Sequence, residues 1–365
     1  MKKYFPLFWV FYLLCAFSAH AGEGRYTIPL TGGGWSLWLD KEASWQNDRL
    51  YLPHEITDLS LLPVNVPTGG WQTLSHNPDA VPVEVPGTVE EYLTVTDNPR
   101  PENFRGVSWW YRKITIPADQ QKKRFIIYFE SVRMRAEVYL DGKLVAYDLI
   151  GETPFHVDIT DEAKPGKEQL LAIRVTNPGG NFHWQDFDIM KWGEYNIPPS
   201  RSFTGIIGRV KLESVNPVFI SDIYMQNTPE LTKVNAILSF TNETSSSVKQ
   251  DVELIVNEKG NPDKVVFRQT LKAISFPAGN HEVTIPVNVP DAKLWDLSTP
   301  ELYTCNVLIK KGKKTLDQDK KDFGFRWFTV DGVGKDAVLR LNGRRIMLRS
   351  AISWGYFPVT GLIAT

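Results

Sequence analysis

From residue 22 to about 330 the chain alternates short apolar and polar runs with turn residues, and no apolar stripe recurs at helical spacing for long. That pattern predicts an all-β protein. Val234, Ala236, Leu238 and Phe240 share one face of a strand, and Val252, Leu254 and Val256 repeat the pattern after the polar loop 243–247. Tyr303, Cys305, Val307 and Ile309 alternate in the same way, which makes Cys305 a buried, inert core residue. Residues 124–130 and 170–177 read as further strands. Asp141-Gly142, set between two apolar arms, predicts a two-residue type I′ hairpin, which needs positive φ at both central positions.

A composition shift at Glu213-Ser-Val-Asn-Pro217 puts a boundary near residue 215. Strands about every ten residues over 216–329 then suggest an immunoglobulin-like sandwich. Residues 330–365 change character again. A hairpin around Asn342-Gly343 runs into the apolar stretch 346–352, interrupted by Arg349. One hairpin and one strand make no domain alone.

The amino terminus has a different logic. Lys2 and Lys3, an apolar run over 4–17 and Ala19-His-Ala21 read as a signal peptide over residues 1–21. The run is about 14 residues, short of the roughly 20 that span a bilayer as a helix, so no membrane span is expected. The mature chain is expected to be secreted or periplasmic. Cys15 leaves with the leader, and Cys305 alone forms no internal disulfide.

Composition narrows the chemistry. With 41 Lys and Arg against 42 Asp and Glu there is no basic excess to neutralise phosphates, so nucleic acid is not an expected partner. Twelve Trp, 13 Tyr and 19 Phe suit large packed sheets, and also platforms on which sugars stack. His54, His76, His156, His183 and His281 are scattered without zinc-site spacing; no metal and no cofactor is expected. Gly32-Gly-Gly34 lacks the spacing and following helix of a phosphate loop and reads as a mobile start to the mature chain. Lys310-Lys-Gly-Lys-Lys314 reads as a solvated turn.

Leu294-Trp-Asp-Leu-Ser-Thr-Pro-Glu-Leu-Tyr303, Asp322-Phe-Gly-Phe-Arg-Trp-Phe328, Leu341-Asn-Gly343 and Ile346-Met-Leu-Arg-Ser350 together resemble glycoside hydrolase family 2, which includes β-galactosidases, β-glucuronidases and β-mannosidases. Gly106-Val-Ser-Trp-Trp-Tyr-Arg112, Ala136-Glu-Val-Tyr-Leu-Asp-Gly142 and Thr204-Gly-Ile-Ile-Gly-Arg-Val210 look like signatures of its amino-terminal sugar-binding domain. The resemblance implies a jelly-roll β-sandwich over 22–215, an immunoglobulin-like β-sandwich over 216–329, and over 330–365 a short remnant of a TIM barrel, truncated at its start. It further implies retaining hydrolysis of β-glycosides by two barrel glutamates about 5 to 5.5 Å apart. A barrel takes about 250 residues. Both glutamates are therefore expected to be missing from this chain, leaving no catalytic residue. Asn242-Glu243 and Asn257-Glu258 look like the acid/base pair but are expected in sandwich turns.

The strongest remaining feature is Phe182-His-Trp-Gln-Asp-Phe-Asp-Ile-Met-Lys-Trp192, a long aromatic and acidic stretch between two strand-like blocks. In the family the corresponding loop reaches the barrel mouth. The resemblance thus makes Trp184 and Trp192 candidates for stacking on a pyranose, and Asp186 and Asp188 candidates for accepting sugar hydroxyls. It also places Arg349 where the family carries a pocket-lining arginine of the first barrel strand. Three functions follow as alternatives: the non-catalytic part of a secreted β-glycosidase, a free-standing lectin-like protein binding β-linked carbohydrate, or half of a split enzyme whose barrel is a separate chain. Assembly as a homo-oligomer stays open.

Overall fold

The computed structural model describes residues 24–44, 59, 64–93, 104, 106–133, 135–148, 151, 153–177, 191–192, 195–196 and 204–350. The signal-peptide reading therefore lies outside the described residues. The described residues are nearly all-β, in antiparallel sheets, as the pattern predicts. Its amino-terminal strands are β1 Tyr26–Pro29, β2 Gly32–Asp40, β3 Val81–Val85, β4 Gly87–Thr88, β5 Gly106–Thr115, β6 Arg124–Phe129, β7 Val132–Arg133, β8 Arg135–Leu140, β9 Lys143–Asp148, β10 Phe155–Asp158, β11 Glu168–Asn177, β12 Lys191–Trp192, β13 Tyr195–Asn196, β14 Gly205–Ile206 and β15 Val210–Val215; one helical turn, α1, spans Val89–Tyr92.

A six-stranded sheet, β3-β2-β5-β11-β8-β9, faces a four-stranded sheet, β1-β15-β6-β10. Leu37, Trp110, Val138 and Ile173 from the first and Ile127, Phe129, Val157 and Leu212 from the second form one core. The outer face of the six-stranded sheet is buried as well. There the segment 64–80 packs Leu74 and Trp71 on Val107, Trp109, Tyr139 and Ala172. Strands β5, β8 and β11 are consequently covered on both faces, which is why Gly106-Val-Ser-Trp-Trp-Tyr111 shows no polar alternation. Gly32-Gly-Gly34 corrects the expected mobile start: it opens β2, where a register shift between Gly32 and Trp35 absorbs the φ of +92° and +85° at Gly32 and Gly34.

The second sandwich is built from β16 Val218–Asn227, β17 Lys233–Asn242, β18 Val248–Glu258, β19 Val265–Phe276, β20 Gly279–Asn288, β21 Tyr303–Lys311 and β22 Lys314–Phe323. Its sheets are β16-β17-β20 and β19-β18-β21-β22. The alternating residues named above all line its core. Cys305 is fully buried, and burial pushes its thiol up to about 12. Asn242-Glu243 leads into a turn, where the Asn242 amide donates to the Ser246 and Phe276 carbonyls, both at 2.9 Å. Asn257-Glu258 departs from expectation, ending β18 rather than lying in a turn. The lysine cluster turns β21 into β22 and its Lys313 is exposed.

Both predicted hairpins form with positive φ at each central residue: +47° and +84° at Asp141 and Gly142, +52° and +79° at Asn342 and Gly343. The second joins β24 Val338–Leu341 to β25 Arg344–Arg345, and β23 Phe328–Asp331 completes a three-stranded sheet. Directly opposed pairs put Phe328, Leu341, Val330 and Leu339 on one face, with Phe328 and Val330 about half exposed at 49% and 57%. The segments that carried the family resemblance meet at its root. The Trp295 N–H donates to the Phe325 carbonyl, the Asn342 amide donates to the Trp295 carbonyl, and the Asn342 side-chain oxygen accepts the Trp327 N–H, each at 2.9 Å.

Arg25 joins the two sandwiches. Its guanidinium donates to both Asp317 oxygens at 3.2 and 3.1 Å, to Glu213 at 3.2 Å and to the Ile220 carbonyl. Asp317, fully buried, also accepts the Ile220 N–H at 2.7 Å. A buried carboxylate in such a place needs its cation.

Candidate functional site

The stretch predicted to touch sugar lies between β11, which ends at Asn177, and β14, which begins at Gly205. Trp184, Asp186 and Asp188 lie outside the described residues. Trp192 lies in β12, paired with Tyr195 of β13. Arg349 follows β25, is exposed, and forms no ion pair with a described carboxylate. The described structure thus fixes the frame of the site, namely the residues from which the stretch leaves and to which it returns.

That frame is a ribbon of three two-residue strands, β4-β14-β7. Gly205 is required there because a Cβ would lie 2.3 Å from the Gly87 carbonyl oxygen and 3.0 Å from the Trp110 ring. Gly208 is required in the same way, its Cβ position being 2.6 Å from the Ser131 nitrogen. The glycines of Thr204-Gly-Ile-Ile-Gly208 therefore let this segment thread between two others at backbone contact distance.

Thr88 caps α1, its hydroxyl accepting the Glu91 N–H at 3.2 Å. The neighbouring Glu90 turns the other way. One of its oxygens accepts the Phe104 N–H at 3.0 Å and the other the Thr204 N–H at 3.2 Å. The Thr204 carbonyl accepts the Val89 N–H at 2.7 Å and its hydroxyl donates to the Arg133 carbonyl at 3.0 Å. The Asn177 amide donates to the Phe104 carbonyl at 2.6 Å. Burial lifts the Glu90 carboxyl to about 7, against the opposing pull of those N–H groups and of Arg133. Sequence reading misses Glu90, since an acidic residue in a first helical turn reads as a complement to the helix dipole.

A second cluster lies under the segment 64–80. Glu137, 1% exposed, accepts from Arg174 at 2.8 Å, Arg135 at 3.2 Å, Tyr139 at 2.7 Å and Asn65 at 2.9 Å. Trp109 donates to Asp40 at 3.1 Å beside it. Four side chains thus donate to this one buried carboxylate, which ties the sheet to the segment over it. Among the described residues no group of three or more His, Cys, Asp or Glu is placed to hold a metal ion. No described helix is long and apolar enough to cross a membrane.

Comparison with known proteins gives this frame a lineage. The model for glycosyl hydrolases family 2, sugar binding domain, matches residues 33–197, and the model for glycosyl hydrolases family 2 matches residues 218–326. A β-glucuronidase of Formosa agariphila is 26% identical over 267 residues, covering 70% of this chain and 26% of its own length. A β-galactosidase of Thermoanaerobacter pseudethanolicus is 27% identical over 261 residues, covering 71% of this chain and 33% of its own. The crystal structure of a Bacteroides uniformis β-glucuronidase superposes with a TM-score of 0.63 at 20% identity, over 93% of this chain and 37% of that one, a likeness of fold. The chain spans about a quarter to a third of the length of the two curated relatives. With both family models matched in order along the two sandwiches, the chain belongs to glycosyl hydrolases family 2.

Proposed function

We propose that these residues do the substrate-positioning, non-catalytic work of an exported family 2 β-glycosidase, hydrolysis being carried out by two glutamates of a (β/α)8 barrel outside them. The observation that carries this reading is the pair of matched models, the sugar-binding domain over 33–197 and its companion over 218–326. Relatives named as β-glucuronidase and β-galactosidase support a β-linked sugar. In this reading 22–215 is the jelly roll, 216–329 the immunoglobulin-like sandwich and 330–365 the approach to the barrel. Trp184 and Trp192 stack on the sugar ring, and Asp186 and Asp188 accept its hydroxyls. Arg349 pairs with a carboxylate of the pocket. The half-exposed Phe328 and Val330 offer a barrel, in the same chain or a separate one, an apolar face to pack on.

Sugar contact is tested by titrating p-nitrophenyl β-glucuronide and β-galactoside into the chain and its Asp186→Ala and Asp188→Ala variants, followed by calorimetry. Specific binding lost in both variants is the expected result. Binding that both variants retain would remove the stretch from the site.

A further inference from the structure

Positions 110, 112 and 114 share the core face of β5, where Trp110 and Ile114 are buried and Arg112 lies half-buried between them. An apolar side chain would complete that face without the cost of desolvating a cation. Three arginines buried more deeply have their charge answered, Arg25 by Asp317 and both Arg135 and Arg174 by Glu137. Arg112 forms no ion pair with a described carboxylate, and burial, acting alone, pulls its pKa down.

The partners that Arg112 does have are neutral. Its Nη1 donates to the Leu30 carbonyl at 2.9 Å and to the Gly33 carbonyl at 3.4 Å, and the guanidinium lies 5.3 Å from the centre of the Trp35 ring. The Trp35 indole N–H donates to the same Leu30 carbonyl at 2.7 Å, which fixes the ring there. Nε is buried with no acceptor, and no described group accepts from Nη2. Beside Nη2 the chain is glycine. A Cβ on Gly34 would lie 3.4 Å from that nitrogen, one on Gly32 would meet nothing within 4 Å, and Gly33 and Gly34 are exposed. The bulge that opens β2 thus leaves a solvent-facing notch with a guanidinium N–H at its base. A carboxylate also stands at the rim: Oε1 of the exposed Glu84, on β3, is 4.0 Å from the Cβ position of Gly33.

We propose that Arg112 and the Gly32–Gly34 bulge form an oxyanion site, of the class that takes the carboxylate of a hexuronic acid or an inorganic oxyanion. An anion on Nη2 supplies, through a charge-assisted hydrogen bond, the counter-charge that the core face withholds. The site is built from β2, β3 and β5 and is independent of the stretch 178–203.

The experiment titrates sodium glucuronate, glucose and inorganic phosphate separately into the isotopically labelled full chain, at neutral pH and constant ionic strength, and follows the Gly33 and Gly34 amides and the Trp35 indole N–H by NMR. Saturable shifts in the millimolar range are expected with an anion and none with glucose. Affinity is expected to fall about tenfold or more in Arg112→Gln, the scale of one lost charge-assisted hydrogen bond. It is expected to rise about twofold in Glu84→Gln, because a like charge leaves the rim. Glu84 is a surface residue, so that variant decides the matter even where Arg112→Gln does not fold. Tighter binding of glucuronate supports the site as one for an acidic sugar, and equal or tighter binding of phosphate supports it as one for a free oxyanion. Shifts that glucose also produces, or that persist in Arg112→Gln, would overturn the proposal. So would three signals silent to both anions, or an affinity that Glu84→Gln leaves unchanged.

Discussion

Gly205 shows how little latitude single positions have in this molecule. With Gly87 backbone 2.3 Å and Thr88 backbone 2.9 Å from its Cβ position, relief requires β4 and β14 to separate. Gly205→Ala is expected to destabilise the protein by about 3 kcal/mol or more, read from urea unfolding. Glu90 tests a sign. Its folded pKa of about 7 lies above its ordinary 4.5, so its contribution to stability is fully present below about 4.5 and is lost as pH rises through 7. Glu90→Gln should therefore flatten stability against pH between 5 and 8, and an unchanged slope in paired urea titrations would refute the assignment. Gly205 was legible as part of a motif, whereas its reason was not, because Gly87 lies 118 residues earlier in the chain. Glu90 was not legible at all, because its two partners are backbone groups and leave no mark in composition.

Among the elements, strands with one solvated face were readable by alternation, β11 was readable as the apolar run 170–177, and the covering of β5, β8 and β11 on both faces was not readable. In β17 and β21 the alternation of apolar and polar residues maps onto core and solvent directly, and the Asp-Gly and Asn-Gly turns announce their hairpins. Strands β5, β8 and β11 hide under the segment 64–80, and the cover is visible only once Trp71 is seen at 5.6 Å from Trp109 and 5.0 Å from Tyr139. Charged residues in β8 and β11 would suggest solvent, yet Glu137 and Arg174 neutralise each other out of water. Glu137→Ala would strand the guanidinium of Arg174 there, and a loss of about 3–5 kcal/mol is expected by thermal or urea unfolding. Cys305, on the buried face of β21, should resist Ellman's reagent in native protein and react fully in 6 M guanidinium chloride (roughly full denaturing strength for such a domain).

At the scale of the whole molecule the order of the two sandwiches and the family were legible in a handful of motifs, and the structure gives those motifs physical work. Leu294-Trp295, Phe325-Arg326-Trp327 and Leu341-Asn342 are distant in sequence and meet where the last three-stranded sheet leaves the second sandwich, with the Arg326 guanidinium 4.6 Å from the Trp295 ring. What joins the sandwiches was hidden, since Arg25 and Asp317 are 292 residues apart. Arg25→Ala leaves Asp317 buried without its cation, so the account expects a loss of about 3–5 kcal/mol and, with the connection weakened, two unfolding transitions where the native chain shows one. Differential scanning calorimetry separates the cases, and a single unshifted transition would show that the sandwiches do not depend on the clamp.

The claim that these residues position substrate without hydrolysing it is tested most directly by incubating the purified chain with a panel of p-nitrophenyl β-glycosides, with and without a mechanism-based inactivator of retaining glycosidases. No release of p-nitrophenol above the buffer rate is the expected result. Turnover that the inactivator abolishes would place a catalytic carboxylate pair within residues 1–365 and contradict the account.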